Sequence, residues 1–184
     1  MPDFRLETER LVLRDWREDD WAPFFAGTNT PEVMRWLGGV MDQARMDAQR
    51  QRLEAYARDH GFTFWVLERK DQGDIIGMCG LKRSNQQGGP QGDHEIGWRL
   101  RTDCQGQGYA REAAEAALAH AFVAFDAPHV LALTVAGNAP SWGLMLRLGM
   151  ERRADLDFAS PEFDPESGLI IAYGITRQAW EARQ

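Results

Sequence analysis

Two glycines set between a strand-like run and a long helical run constrain this chain more than any other feature. The stretch is Gln105-Gly106-Gln107-Gly108-Tyr109-Ala110. Before it, His94 to Leu100 reads as a strand. After it, Tyr109 to Phe125 carries Ala113, Ala117, Leu118, Ala121 and Phe122 at helical spacing, the mark of one buried face. Glycine lets backbone approach a ligand with no Cβ in the way. A helix start adds unpaired N–H groups and the positive end of the helix dipole. A strand–glycine turn–helix unit of this kind suits a diphosphate held by main-chain amides. A plain tight turn would use the same residues.

Two other nucleotide-binding patterns fail on the residues. A phosphate loop of the Walker type ends in Gly-Lys-Ser/Thr, whereas Gly108 is followed by Tyr109 and Ala110. A dinucleotide fingerprint places a third Gly or Ala where Arg111 stands, and an acidic residue at the end of the next strand. Asp126 comes before that strand, which ends in Ala136-Gly137-Asn138.

The remaining chain alternates strand and helix patterns. Leu6 to Arg14 reads as a strand. Asp19-Asp20 precedes Trp21, Phe24 and Phe25, an acidic helix start with an apolar face. Thr30 caps a short helix with Pro31 at its first position, and Gly38-Gly39 closes it. Asp42 to His60 is a solvent-facing helix stopped by Gly61. Phe62 to Glu68 and Ile75 to Leu81 pair about a turn at Asp71–Asp74, and Ser84 to Gly92 is a polar second connection. Val130 to Val135 is a strand and Ala139 to Leu148 a helix. Met150 to Phe158 and Leu169 to Ile175 are the last two strands, with an acidic loop between them. The order predicts an α/β (α+β) domain, one unit over residues 1–184, with a mixed sheet covered by helices.

Composition narrows the partners. There are 28 acidic against 21 basic residues, a net charge of −7. Such a surface repels phosphate backbones, so the expectation is no nucleic acid. No apolar run approaches a membrane span, so none is expected there either. Cys79 and Cys104 lack metal or disulfide spacing, which favours a reducing, cytoplasmic setting without a metal. The seven tryptophans suit apolar anchors in a core or at an interface.

The ordered blocks resemble the GNAT superfamily of N-acetyltransferases, in the branch of the RimJ/RimL-type ribosomal-protein N-terminal acetyltransferases. Thr8-Glu9-Arg10-Leu11-Val12-Leu13-Arg14 resembles the first-strand signature, and Ile75-Ile76-Gly77 through Gly80-Leu81 the G-x-x-G-L strand. Glu95-Ile96-Gly97-Trp98 resembles the fourth strand, and Gln105-x-x-Gly108-x-Ala110 the acetyl-coenzyme A motif Q/R-x-x-G-x-G/A. Asn138-Ala139-Pro140-Ser141 with Arg147-Leu148-Gly149-Met150, then Tyr173 to Arg177 and Trp180, continue the likeness. Gln105 stands where the branch commonly has Trp, and Leu146 where it has Glu.

The resemblance implies a mostly antiparallel central sheet of about seven strands whose fourth and fifth strands splay apart. It implies acetyl-CoA as cosubstrate. Backbone groups of Trp98, Arg99 and Leu100 would pair with the pantetheine arm, and amides of Gln105, Gly106, Gln107, Gly108, Tyr109 and Ala110 would hold the diphosphate. Arg101 and Arg111 could add charge there, and Glu112 would fix the first turn of the helix. Asn138 and Ser141 would meet the arm. Glu95 is the implied base, Ser141 the donor to the departing thiolate, and Tyr173 an alternative donor, all for direct attack by a small-molecule amine or a protein N-terminus. His94 would face the other side of its strand. The helices from Trp21 to Trp36 and the acidic loop Asp155 to Glu166 would frame the amine. A homodimer is compatible with the resemblance. A non-catalytic acyl-CoA-binding module, or an interaction protein on the same fold, stays open beside it.

Overall fold

A computed structural model describes residues 4–160 and 169–183. The sheet runs β1-β2-β3-β4-β5-β6-β9-β7 with β8 also on β9, nine strands among the described residues. They are β1 (Arg5–Glu7), β2 (Leu11–Arg14), β3 (Phe64–Arg69), β4 (Ile75–Asn85), β5 (Gln91–Leu100), β6 (His129–Val135), β7 (Glu151–Arg152), β8 (Phe158–Ala159) and β9 (Leu169–Thr176). The β5–β6 pairing is parallel; β1–β2, β2–β3, β3–β4, β6–β9, β7–β9 and β8–β9 are antiparallel. The helices are α1 (Trp21–Thr28), α2 (Pro31–Met34), α3 (Gln43–His60), α4 (Tyr109–Ala124), α5 (Ala139–Arg147) and α6 (Arg177–Glu181).

The count exceeds the seven strands expected, for two local reasons. The first predicted strand breaks at Thr8–Arg10 and folds on itself, so that Leu6 pairs with Leu13. Met150 to Phe158 is also no continuous strand. A single 3-10 turn over Ala154–Leu156 separates the two-residue strands β7 and β8. The strand that resembles the family's fourth is therefore β5.

The chain forms two compact units. The first comprises residues up to Gly80 with Trp98–Ala116, and the second Leu81–Gly97 with the residues from Ala117. In the first, β2 is buried at every position, with Leu11 and Leu13 fully enclosed. Its last residue, Arg14, is buried as well and needs charge compensation. Asp20 supplies it through two hydrogen bonds of 2.7 and 2.8 Å, and Glu68 through a third at 2.8 Å. Asp20 thus clamps a buried cation, where its sequence position suggested a simple helix start. Around it Trp16 stacks on Trp21 at 4.0 Å, and Trp21 and Phe24 pack with Leu53, Val66, Ile75 and Met78. The Asp42 side chain caps α3 by accepting from the Arg45 amide at 2.9 Å, and Thr30 caps α2 through the Val33 amide at 3.4 Å.

The second unit centres on β6 and β9, which pair over seven residues from His129↔Thr176 to Val135↔Ile170. β6 also pairs in parallel with β5, at only His94↔Val130 and Glu95↔Leu131. Val130, Leu131 and Ala132 are fully buried, as are Ala117, Ala121 and Phe122 of α4. Phe122 packs on Trp180 of α6 at 5.1 Å.

Candidate active site

In the first unit the glycine turn is held open by its neighbours. A 3-10 turn over Thr102–Cys104 leads out of β5, and the Gln105 amide donates back to the Thr102 carbonyl at 3.2 Å. That donor is therefore engaged, a correction to the run of amides the sequence suggested. The amides of Gly106 to Arg111 have no acceptor among the described residues, until Glu112 N–H closes the first α4 bond onto the Gly108 carbonyl at 3.0 Å. Four orphan donors are usual at a helix start; here the glycine turn extends the set. Gly108 has φ +85, in the left-handed region, and a Cβ there would stand 3.3 Å from Arg10 Nη2. The carbonyl of Leu100 accepts from the Gln105 side chain at 3.0 Å.

Arg10 is the residue the sequence reading missed in this role. Its Nη1 donates to the Gln107 carbonyl at 3.0 Å, and its guanidinium lies 4.3 Å over the Tyr109 ring. Glu112 binds the same arginine and accepts from Thr8 as well, so it fixes the helix start by a tertiary clamp. Nothing local in the sequence signals a pairing across about a hundred positions. Arg101 and Arg111, expected near phosphate, are engaged elsewhere: Arg101 with Asp74 and Asp103, Arg111 with Glu115.

Trp98, Arg99 and Leu100 close β5 in this unit. The Arg99 side chain is 4% exposed. It donates to Met34 Sδ at 3.2 Å and Gln49 Oε1 at 3.0 Å, and lies 4.6 Å from the Phe24 ring centre. Two hollows of about 650 and 590 Å³ open on the same unit, neither lined by residues 105–110. Charges in the first already pair among themselves, Arg14 with Asp20 and Asp74 with Arg101.

In the second unit, β5 buries Glu95 to 6% exposure. Gln86 Nε2 donates to its Oε1 at 3.3 Å, Lys82 Nζ lies 3.4 Å from its Oε2, and that oxygen accepts no hydrogen bond. Burial raises the Glu95 pKa, against the smaller lowering effect of Lys82 and Gln86. A carboxyl so placed holds a proton more tightly than an exposed one. His94 stacks parallel to Phe125 at 5.6 Å, and its Nδ1 lies 3.2 Å from Arg83. Burial first, and the cationic neighbours Arg83 and His129 next, push its pKa down to about 4.

Asn138 and Ser141 open α5. Asn138 Nδ2 donates to Thr134 Oγ1 at 3.0 Å, and its carbonyl accepts the amides of Ser141 and Trp142. The half-buried Ser141 hydroxyl bonds no group among the described residues, so it does not serve as a local cap. Tyr173 is buried mid-β9 opposite Ala132, with Arg152 5.6 Å from its ring. Asp155 and Asp157 of the acidic loop are taken by Arg153 and Arg152. Its later members, Glu162, Asp164 and Glu166, lie outside the described residues. Of the seven tryptophans, Trp21 and Trp65 are buried in the core and the other five are half-buried, Trp142 donating to the Ala136 carbonyl.

Among the described residues no helix is long and apolar enough to cross a membrane. Known proteins share the fold and the sequence pattern. The family model for an acetyltransferase (GNAT) domain matches residues 10–151. YkkB of Bacillus subtilis, an uncharacterized protein, is 31% identical over 79% of this chain and 84% of its own. The uncharacterized N-acetyltransferase YnaD of the same organism is 29% identical over 95% of this chain and 98% of its own. The crystal structure of an acetyltransferase from Agrobacterium tumefaciens superposes with a TM-score of 0.78 at 25% identity, covering 95% of both chains. With its sequence matched over most of its length and its sheet matched in space, this chain belongs to the GNAT family of acetyltransferases.

Proposed function

We propose that the chain is an acetyl-CoA-dependent N-acetyltransferase acting on a primary amine, either a small molecule or a protein N-terminus, by direct attack. The branch resembling the RimJ/RimL-type enzymes is part of the same reading. The observation that carries it is the run of main-chain amides from Gly106 to Arg111 without an internal acceptor. Six donors at the start of a sixteen-residue helix suit a diphosphate, which brings its own negative charge. Arg10 and Glu112 hold that turn before any ligand arrives. Backbone groups of Trp98, Arg99 and Leu100 would serve the pantetheine arm, with Asn138 and Ser141 as further contacts. Acetyl-CoA supplies an activated thioester carbonyl.

The chain's own residues would then manage protons. An alkyl ammonium has a pKa near 10, so a base must expose the nitrogen lone pair. Glu95 is that base in our reading, directly or through water, because burial makes its carboxylate a better acceptor. The nitrogen forms its bond to the acetyl carbon, the carbon–sulfur bond breaks, and the departing thiolate takes a hydrogen bond from Ser141, with Tyr173 as the alternative donor. A buried carboxyl with raised pKa favours turnover over an acyl-CoA-binding module, and the burial of Trp21 and Trp65 in the core takes those two away from any docking face.

Calorimetry with acetyl-CoA tests the cradle. We expect micromolar-range binding, abolished by Gly108→Trp; undiminished binding in that variant would remove the assignment. Ser141→Ala should lower turnover far more than cofactor binding, and equal loss of both would remove the donor role.

A further inference from the structure

We propose that Arg99 is the seat of a carboxylate carried by the acceptor, which makes the preferred acceptor an amino-acid-like amine; this rests on the acetyltransferase reading above. Two arginines are buried in the first unit to nearly the same degree, Arg14 at 5% and Arg99 at 4% exposure. Their surroundings differ in kind. Arg14 is held by the carboxylates of Asp20 and Glu68. Arg99 has no carboxylate partner among the described residues.

The acceptors that Arg99 does have are poor or neutral. A thioether sulfur, Met34 Sδ, is a weak acceptor, and the Gln49 amide oxygen carries no formal charge. Buried Nε finds no acceptor at all. Nor does the Phe24 ring face neutralise a full charge. Burial and the nearby cation Arg52 push the Arg99 pKa down to about 10, so the guanidinium still carries its charge at neutral pH. A buried, uncompensated cation is strongly unfavourable unless an anion completes it. The planar fork of an arginine fits a carboxylate with two parallel hydrogen bonds.

A second cation stands on α3. Gln49, the partner of Arg99, is half-buried, and Arg52 stands exposed one turn further along the same helix. Arg52 adds positive charge close enough to act on Arg99, so the two cations together favour an anion there. The charge balance at Arg99 selects against an acceptor without a carboxylate, since that acceptor leaves the cation unpaired.

The test uses pairs of amines that differ only in a carboxylate: phenylalanine with 2-phenylethylamine, lysine with cadaverine, and γ-aminobutyrate with propylamine. Binding is read as the rise in unfolding temperature of the intact protein, and acetylation as CoA release. At least one carboxylated member should bind the wild type roughly tenfold or more tightly than its plain counterpart, the scale of one hydrogen-bonded charge pair. In Arg99→Met that ratio should fall to near one, while Arg99→Lys should keep part of it. If every plain amine binds as well as its partner, or if Arg99→Met keeps the preference, the proposal is overturned. Should Arg99→Met not fold, the exposed Arg52→Gln carries the test: the preference must shrink, and an unchanged ratio overturns it. Inorganic phosphate serves as a control; if it displaces acetyl-CoA and not the carboxylated amine, the two anion sites are separate, and displacement of that amine alone assigns Arg99 to phosphate and sinks the proposal. Acetyl-CoA binding to the wild type is measured separately, so failure of the enzyme reading is not confused with failure of this one.

Discussion

Glu112 and Arg10 lie about a hundred positions apart in sequence, and they meet in a three-point clamp. Glu112 Oε1 accepts the Arg10 amide at 2.8 Å and the Thr8 hydroxyl at 2.6 Å, and Oε2 accepts Arg10 Nε at 2.7 Å. Opposing effects act on its carboxyl: burial raises its pKa, and the hydrogen bonds from Thr8 and Arg10 outweigh that and hold it below the usual range. The pair fixes the first turn of α4 against the β1–β2 bend, and through the Gln107 carbonyl it also fixes the glycine turn. Glu112→Gln keeps the shape but removes the charge, so both the bend and the cradle should loosen. We expect a loss of roughly 1–3 kcal/mol in chemical denaturation, with weaker acetyl-CoA binding by calorimetry. Full stability with full binding would refute the clamp.

Glu95 offers a prediction in pH. As a base it works ionised, so kcat/KM should climb with pH through its raised pKa, above the ordinary value of 4.5. Glu95→Gln should lower kcat by roughly 10²–10⁴-fold, the usual worth of a positioned base, and should remove that limb of the profile. Acetyl-CoA affinity is the companion measurement and should hold. A profile of unchanged shape in the variant would pass the base role to solvent.

His94 links stability to pH with a definite sign. Its folded pKa is about 4 against 6.5 unfolded, so the unfolded chain binds the proton more readily between those values. The stability it contributes is present in full above pH 6.5 and is lost as pH falls toward 4. Glu95 acts in the opposite direction: its raised pKa contributes stability below 4.5, lost as pH climbs through the folded value. Urea titrations from pH 4 to 7 should show the His94 slope, and His94→Gln should flatten it. An equal slope in the variant would contradict the assignment.

Gly77 is the least replaceable glycine in the first unit. A Cβ added there would stand 2.1 Å from the Arg99 carbonyl oxygen and 2.9 Å from the Leu100 Cα. Both atoms are backbone and cannot rotate away, so β4 and β5 must part. Gly77→Ala should cost about 3 kcal/mol, the upper end for overpacking. Because Arg99 and Leu100 are the proposed pantetheine edge, acetyl-CoA binding should weaken with it. A stable variant with wild-type binding would show that this edge tolerates displacement.

Much of the fold was legible in local patterns. Thr30 with Pro31, and Asp42 with Gly61, mark helix ends through chemistry confined to one turn, and the structure places α2 and α3 there. The short helix ends at Met34, before the Gly38-Gly39 pair expected to close it. Strand breaks were not legible. The run from Leu6 to Arg14 is apolar enough for one strand, yet it bends at Thr8–Arg10, where Glu112 supplies the acceptor for Arg10 N–H and Thr8 Oγ1. No nearby residue announces that partner.

The candidate site divides in the same way. The glycines at 106 and 108, the helix that follows, and the positions of Glu95, Ser141 and Tyr173 stand in the chain itself, because backbone freedom and residue chemistry are local properties. Whether a donor is engaged, as at Gln105, or a carboxyl is raised by burial, as at Glu95, depends on what other segments bring alongside. Arg14 and Arg99 show the contrast most clearly. In sequence both are arginines at the C-terminal end of a strand, Arg14 last in β2 and Arg99 next to last in β5, and only packing gave one of them two carboxylates and the other none. The sequence determined which groups exist and which backbone shapes they permit; the tertiary structure decided their charge balance, because desolvation and pairing are set by neighbours in space.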